Sequence, residues 1–279
     1  IGVDAAILFC DILIPLEPMG LTLTISEGEG PRIHNPVRSA ADVERLAVPD
    51  PMQGTRFVMD AIRQIRASLA GKVPLIGFAG APFTLAAYAV EGAGSRNYIH
   101  IKRLMYEQPK AAHALFDKLT ETVIAYLRAQ IEAGVQVVQV FDSWAGHLSR
   151  ADYREFALPH TTRIFEALAG TVPLIHFGVG TTAILGDLAQ AGGDVIGVDW
   201  RLPLDEAWTI VGTDRAIQGN LDPAVLLGPA DRLFAATEDV LRRANGRPGH
   251  IFNLGHGVLP STPLEHVQAL ARFVHQWKA

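Results

Sequence analysis

The amino-acid sequence predicts an α/β protein of the (β/α)8, TIM-type barrel class, and three observations carry that expectation. Short apolar runs alternate with longer helical patterns from one end of the chain to the other, the signature of repeated β/α units feeding a parallel sheet. Helix-start signals recur between those runs, where such units require them. The 279 residues exceed the usual length of one domain, but barrels of this size fold as one. A single catalytic barrel domain over 1–279 is therefore expected.

Seven runs read as strands: Asp4 to Phe9, Val73 to Phe78, Val135 to Phe141, Val172 to His176, Val195 to Val198, Ala216 to Gln218 and His250 to Phe252. After the first comes an excursion, Leu21 to Ile33, whose Leu-Thr-Leu-Thr-Ile alternation and glycines at 28 and 30 predict a β-hairpin or long loop inserted on the barrel scheme. Met52 to Leu69 and Lys110 to Ala133 are periodic enough for long amphipathic helices, with Arg63, Arg66, Lys118 and Arg128 expected on solvated outer faces. Ser149 with Asp152 three residues later starts a helix through Ala169 as a capping box. Asp222-Pro223 predicts another start, and Thr262-Pro263 with Glu265 opens the last helix with Thr262 as cap and Pro263 at the first helical position.

A closed barrel needs eight strands, because an open edge exposes a row of unpaired backbone groups. The expected place of the eighth is before Ile1, so the chain is read as a barrel whose first strand and amino-terminal segment lie outside this sequence. The alternative is an open doubly wound sheet, which would call for a GxGxxG turn after its first strand. No such turn follows Phe9.

Composition narrows the function. Hydrophobic residues at 49% against 19% charged suit a large buried core rather than a disordered chain. A net charge of -5 without a block of like charges excludes a nucleic-acid footprint. The single cysteine, Cys10, can form no internal disulfide and belongs to no zinc-type Cys/His spacing. With no signal peptide opening the chain, a cytoplasmic location is expected. Val73 to Val90 is uncharged over 18 residues, but Pro74, Gly77, Gly80 and Pro82 read as a buried strand, a turn and a helix start, not a membrane span.

Chemistry in a barrel gathers just beyond the C-terminal strand ends. Those positions hold Asp11, the stretch Gly80 to Tyr88, Asp142-Ser143 with His147, His176, Asp199, Gly219 to Asp222, and Asn253 to His256. Asp11 has two readings, a helix cap or a functional carboxylate. Ser143 lacks the Gly-x-Ser-x-Gly setting of a hydrolase nucleophile. His256, between two glycines, can reach a ligand or serve as a structural loop group. Gly178-Val-Gly180 could cradle an anion but is too short for a nucleotide motif. Tyr88 lies in an apolar stretch, where a tyrosine is by default a core aromatic. Histidines 34, 100, 113, 160, 266 and 275 have no partner at metal spacing and are read as surface or structural.

At these positions the chain resembles the uroporphyrinogen decarboxylase family. Phe9-Cys10-Asp11-Ile12-Leu13, Gly77 to Leu85 continuing through Tyr88 to Glu91-Gly92, Phe141-Asp142-Ser143-Trp144-Ala145-Gly146-His147-Leu148, and Asn253-Leu254-Gly255-His256-Gly257-Val258 are similar to its signatures. The family's amino-terminal Arg-Gln-Ala-Gly-Arg-Tyr segment, which binds substrate carboxylates, has no counterpart here. The resemblance implies decarboxylation of the four acetates of uroporphyrinogen without metal or organic cofactor, in a homodimer. It further implies Asp11, Tyr88 and His256 as catalytic residues, Ser143 as a carboxylate contact, Phe78 and Phe141 as an apolar floor, and Ile7 and Leu13 beside Asp11. Arg32, Arg96, Arg150 and Arg201 are within reach of the mouth, with an ordinary surface role as the other reading. Two competitors were weighed: a zinc-dependent methyltransferase, which would need a His-x-Cys pair where His176-Phe177-Gly178 stands, and a tetrapyrrole carrier, which would need no Asp11, Tyr88 and His256 set.

Overall fold

The computed structural model describes residues 1–26 and 30–278. Elements in chain order are β1 (Ala6–Ile7), β2 (Leu23–Ser26), β3 (Gly30–Ile33), α1 (Ala40–Arg45), α2 (Pro51–Gly54), α3 (Arg56–Leu69), β4 (Leu75–Gly80), α4 (Pro82–Glu91), α5 (Ile99–Glu107), α6 (Pro109–Ala133) and β5 (Val137–Asp142). There follow α7 (Arg150–Asp152), α8 (Leu158–Leu168), β6 (Leu174–Gly178), α9 (Leu185–Ala191), β7 (Val195–Gly197), α10 (Leu204–Val211), β8 (Ala216–Leu221), α11 (Ala230–Ala244), β9 (His250–Leu254) and α12 (Leu264–Gln276).

Seven strands form one parallel sheet in the order β1-β4-β5-β6-β7-β8-β9. Spatial order thus follows chain order, as in a barrel; a doubly wound sheet reverses direction at a switch point. The edges β1 and β9 do not pair. Between them lies a cleft of ≈ 670 Å³ lined by Ile7, Gln139, Gln218, Ile251 and Phe252, bridged on one side by His275 Nε2 to Asp4 at 3.0 Å. The sheet is therefore a barrel wall of seven strands, open at the position the sequence assigned to an eighth.

The expected hairpin is present as β2 paired antiparallel with β3, Leu23 opposite Ile33 and Ser26 opposite Gly30; Gly28 lies outside the described residues. Val73 to Val90 splits into β4, a turn at Ala81 and α4, which starts on Pro82. Among the described residues no helix is long and apolar enough to cross a membrane.

Several details depart from the sequence reading. The first strand is two residues, not six, because its ladder with β4 covers only Ala6 and Ile7, ending in Ala6 N to Pro74 O and Leu8 N to Ile76 O, after which the chain turns away. Met52 to Leu69 breaks at Thr55 into α2 and α3. The Ser149 cap is observed, its side chain accepting from Asp152 N, but the helix runs through a π-helical stretch, Tyr153–Ala157, before α8. Asp222 caps a 3-10 turn instead of an α-helix. Pro263, not Thr262, is the cap position of α12. Nor are Lys118 and Arg128 simply solvated: the Lys118 ammonium donates to the carbonyls of Val43, Glu44 and Leu46 at the end of α1, and Arg128 donates to Ala167 O at the end of α8. Both satisfy helix-end carbonyls that have no partner within their own helix.

Candidate active site

The strand ends open onto one mouth, and alternation along each strand decides what faces it. On β1, Leu8 is buried toward the helices, whereas Ile7 and Phe9 face the open side, Phe9 at 98% exposure. Cys10 turns back toward α6, its Sγ 3.9 Å from the Tyr126 hydroxyl. Burial pushes the Cys10 thiol up, with the neighbouring Asp11 charge adding to it against the Tyr126 hydrogen bond, so this cysteine is not an activated thiolate.

Asp11 follows, partly buried. Its Oδ1 accepts from Leu13 N at 2.8 Å, a local Asx-type turn that leads into the 3-10 turn Ile14–Leu16, whose cap position is Leu13 and carries no side-chain cap. Asp11 is therefore not a helix cap: one oxygen holds the local turn, and Oδ2 carries no hydrogen bond to a described residue. Leu13 is 1% exposed, so it reaches Asp11 through its backbone N–H while its side chain sits in the core. Ile7 is near half exposed on the open side.

Tyr88, on α4, comes close enough to Asp11 for the carboxylate charge to act on it. Burial pushes the Tyr88 hydroxyl up, Asp11 raises it further and the Trp144 indole N–H opposes them. Trp144 is the hub of an aromatic group: its ring centroid lies 5.9 Å from Tyr88, 5.7 Å from Tyr98 and 6.2 Å from His147. The His147 ring lies 4.4 Å from Tyr98, tilted by 45°, and burial with nearby Lys102 lowers its basicity. Below, Phe78, Phe141 and Phe177 meet edge to face, at 5.4 Å and 5.8 Å, a geometry rings favour. Phe177 belongs to this floor although the sequence reading passed over it; its signal was the same alternation that placed Phe141.

A carboxylate, a phenol that burial keeps protonated and an aromatic floor are set at the open end of a parallel barrel wall. The sequence model of the family described as Uroporphyrinogen decarboxylase (URO-D) matches residues 1–277. The chain belongs to that family. It is 55% identical over 277 residues to the uroporphyrinogen decarboxylase of Myxococcus xanthus and 53% identical to that of Carboxydothermus hydrogenoformans, in each case covering 99% of this chain and 79% of the relative. Among solved structures, a methyltransferase from Methanosarcina mazei superposes with a TM-score of 0.86 over 100% of this chain and 82% of that one, at 24% identity. At that identity the likeness shows the shared fold alone.

Within this family frame the structure sorts the polar strand ends, which the sequence reading had pointing together at the mouth. Several are structural instead. Asp199 Oδ2 accepts from Gly180 N at 2.6 Å and pairs with Arg201, while Oδ1 accepts from Arg201 N; the Gly180 amide is thereby taken, and the Gly178-Val-Gly180 stretch is no anion cradle. Asn220 Nδ2 donates to Asp199 O and Leu202 O. Asp142 and His176 are both 0% exposed and turned away from Phe141 and Phe177 toward the helices. Ser143 stays partly exposed at the end of β5. His256 is exposed, its Nδ1 accepting from Gly257 N; the turn carrying it is held by Gly255, whose N–H donates to Leu221 O and whose missing side chain lets Trp200 N approach to within 2.6 Å of where a Cβ would stand.

Among the candidate arginines, Arg150 pairs with buried Asp187 at 2.6 Å and Arg201 lies over the Trp200 ring at 4.3 Å; Arg32 and Arg96 make no ion pair among the described residues. No group of three His, Cys, Asp or Glu among the described residues is placed to hold a metal ion.

Proposed function

We propose that this chain converts uroporphyrinogen to coproporphyrinogen by decarboxylating the four ring acetates, with Asp11 and Tyr88 at the reacting pyrrole. The observation that carries the reading is Asp11 just past the open edge strand, one oxygen held by Leu13 N and the other without a hydrogen bond to a described residue, next to the strand whose Phe78 packs edge to face on Phe141.

A bare acetate resists loss of CO2 because the electron pair of the breaking C–C bond has no acceptor. Protonating the pyrrole carbon beside the acetate-bearing carbon makes the ring cationic. The pair then flows into the ring, CO2 leaves and an exocyclic methylene forms. A proton added to that methylene and the first proton lost from the ring give the methyl group, so each cycle consumes one proton per CO2. Asp11 Oδ2 accepts the pyrrole N–H groups and opposes the transient positive charge; a group of this kind is commonly worth ~3–4 kcal/mol of barrier. Tyr88, with a hydroxyl held neutral, donates to a substrate carboxylate, and Ser143 and His256 contact others from the neighbouring strand ends. Phe78 and Phe141 carry the macrocycle face, and Ile7 lies beside Asp11 on the cleft wall.

The same reading places the protein in the cytoplasm as a homodimer; light scattering finding only monomer at high concentration counts against the latter. The central test is anaerobic incubation of the purified protein with uroporphyrinogen, followed by chromatography of the hepta- to tetracarboxyl products. Stepwise appearance of those products is expected. A protein that binds the tetrapyrrole but leaves all eight carboxyls in place is the carrier instead.

A further inference from the structure

Behind Ser143 lies a polar group that the proposed chemistry does not use. Asp142, His176, Tyr153 and Thr84 are all 0% exposed. Thr84 Oγ1 donates to Asp142 Oδ1 at 3.1 Å and accepts from Trp144 N at 3.2 Å. Asp142 Oδ2 faces His176 Nε2 at 3.9 Å, and these two atoms and the Tyr153 hydroxyl have no hydrogen-bond partner among the described residues. His176 is oriented from its other side by Nδ1 to Leu188 O at 3.1 Å.

Burying a carboxylate is costly, and a neutral amide would fill the same space at lower cost. What only the carboxylate supplies is direction. It is acceptor-only, so the Thr84 hydroxyl must donate to it, and the hydroxyl lone pair is left for the Trp144 N–H. The Trp144 ring in turn packs 5.9 Å from the Tyr88 ring.

We propose that Asp142 and Thr84 are positioning residues for the reaction, fixing the Trp144 backbone so that its indole holds Tyr88 in its working orientation. His176 sets the carboxylate from behind. The proposal rests on the reading that Tyr88 acts in decarboxylation, and its test separates the two.

Thr84→Val keeps shape while removing both hydrogen bonds; Thr84→Ser restores them. In the Thr84→Val protein, kcat falls about 10-fold or more with KM within about twofold, as expected for a displaced group rather than a lost binding contact, and Thr84→Ser recovers most of it. In a Tyr88→Phe background the same Thr84→Val change costs less than about twofold, the non-additivity of residues acting through one another. Fully additive effects, or a loss that tracks the unfolded fraction in thermal melts, overturn the proposal. A second readout needs no turnover: the Trp144 indole N–H resonance, assigned with Trp144→Phe, shifts in both Thr84→Val and Tyr88→Phe and returns in Thr84→Ser. A folded Thr84→Val protein with that resonance unmoved overturns the positioning chain even if the wild-type protein decarboxylates. Absence of decarboxylation by wild type, with the resonance moving as described, refutes the function and leaves the chain intact.

Discussion

Gln130, from the buried face of α6, clamps the backbone of Phe78: its Oε1 accepts from Phe78 N at 2.9 Å and its Nε2 donates to Phe78 O at 2.8 Å. These are the groups a longer β1 would have met, since β1 stops pairing with β4 at Ile76. The amide does the work of two ladder bonds and frees the chain after Leu8 to turn toward Asp11. Replacing Gln130 by Leu leaves a buried N–H and a buried C=O unpaired, for an expected loss of about 2–4 kcal/mol, read as a lower urea midpoint. A midpoint within error of wild type shows that Phe78 finds other partners.

Gly77 belongs to the same contact, since a side chain there meets the Gln130 amide oxygen and lies 3.0 Å from both Val135 methyls. The Gly77→Ala change is expected to destabilise, and to do so much less in a Gln130→Ala background, where the obstructing oxygen is gone. Equal losses in the two backgrounds show that Val135, not Gln130, sets the limit.

Asp11 does two jobs that substitution separates. Asn still accepts from Leu13 N, so Asp11→Asn is expected to melt within about 0.5 kcal/mol of wild type while kcat drops about 10²–10³-fold. Asp11→Ala loses the hydrogen bond from Leu13 N as well and should cost about 1 kcal/mol of stability in addition. Near-normal turnover in the Asn variant removes Asp11 from the chemistry.

His160, read from sequence as a surface or structural histidine, is one member of a buried pair: its Nε2 lies 3.0 Å from His113 Nδ1, with Asp117, Arg163 and, through Arg163, Glu121 around it. Burial lowers it to about 4, against the pull of Asp117 and with help from His113 and Arg163. A folded-state value below the ordinary 6.5 means that the unfolded chain takes the proton first. The stability this neutral histidine contributes is therefore complete above about pH 6.5 and is lost as pH falls toward 4, by no more than about 1.4 kcal/mol per pH unit for one proton. Thermal melts across pH 7 to 4 should show that slope in wild type and a flatter one in His160→Gln. Parallel curves assign the acid sensitivity elsewhere.

Gly255 lets the loop after β9 close on the loop after β7, and a Cβ there would stand 2.6 Å from Trp200 N. The obstacle is backbone and cannot rotate away. Gly255→Ala is expected to push the His256 turn outward and cut kcat/KM about 10-fold or more, with Gly257→Ala, where a Cβ meets nothing within 4 Å, as the mild control. Equal activities for the two would show that the His256 turn is not held by this contact.

How much of this was legible in the chain differs from residue to residue. The succession of strands along the chain, the hairpin insertion, the Ser149 and Asp222 caps and the stretch Val73 to Val90 as strand, turn and helix follow from local chemistry: short apolar runs, capping side chains and prolines act over a few residues, so their signal is in the sequence. So is the neighbourhood of each strand end, to within about three residues, and with it Asp11 and Ser143. The facing of each side chain is not. Phe141 and Asp142, or His176 and Phe177, are adjacent in sequence and opposite in space, and which of each pair meets the cleft is set by the phase of pairing between strands distant in the chain. Tertiary structure alone decided that Asp142, His176, Asp199 and Asn220 turn to structural bonds, that Lys118 and Gln130 leave the surface to satisfy other elements' backbones, and that Tyr88 stands beside Asp11. A buried polar group takes whatever partner the packed chain brings within reach, and that partner is fixed only when segments as far apart as Thr84 and Asp142 have come together.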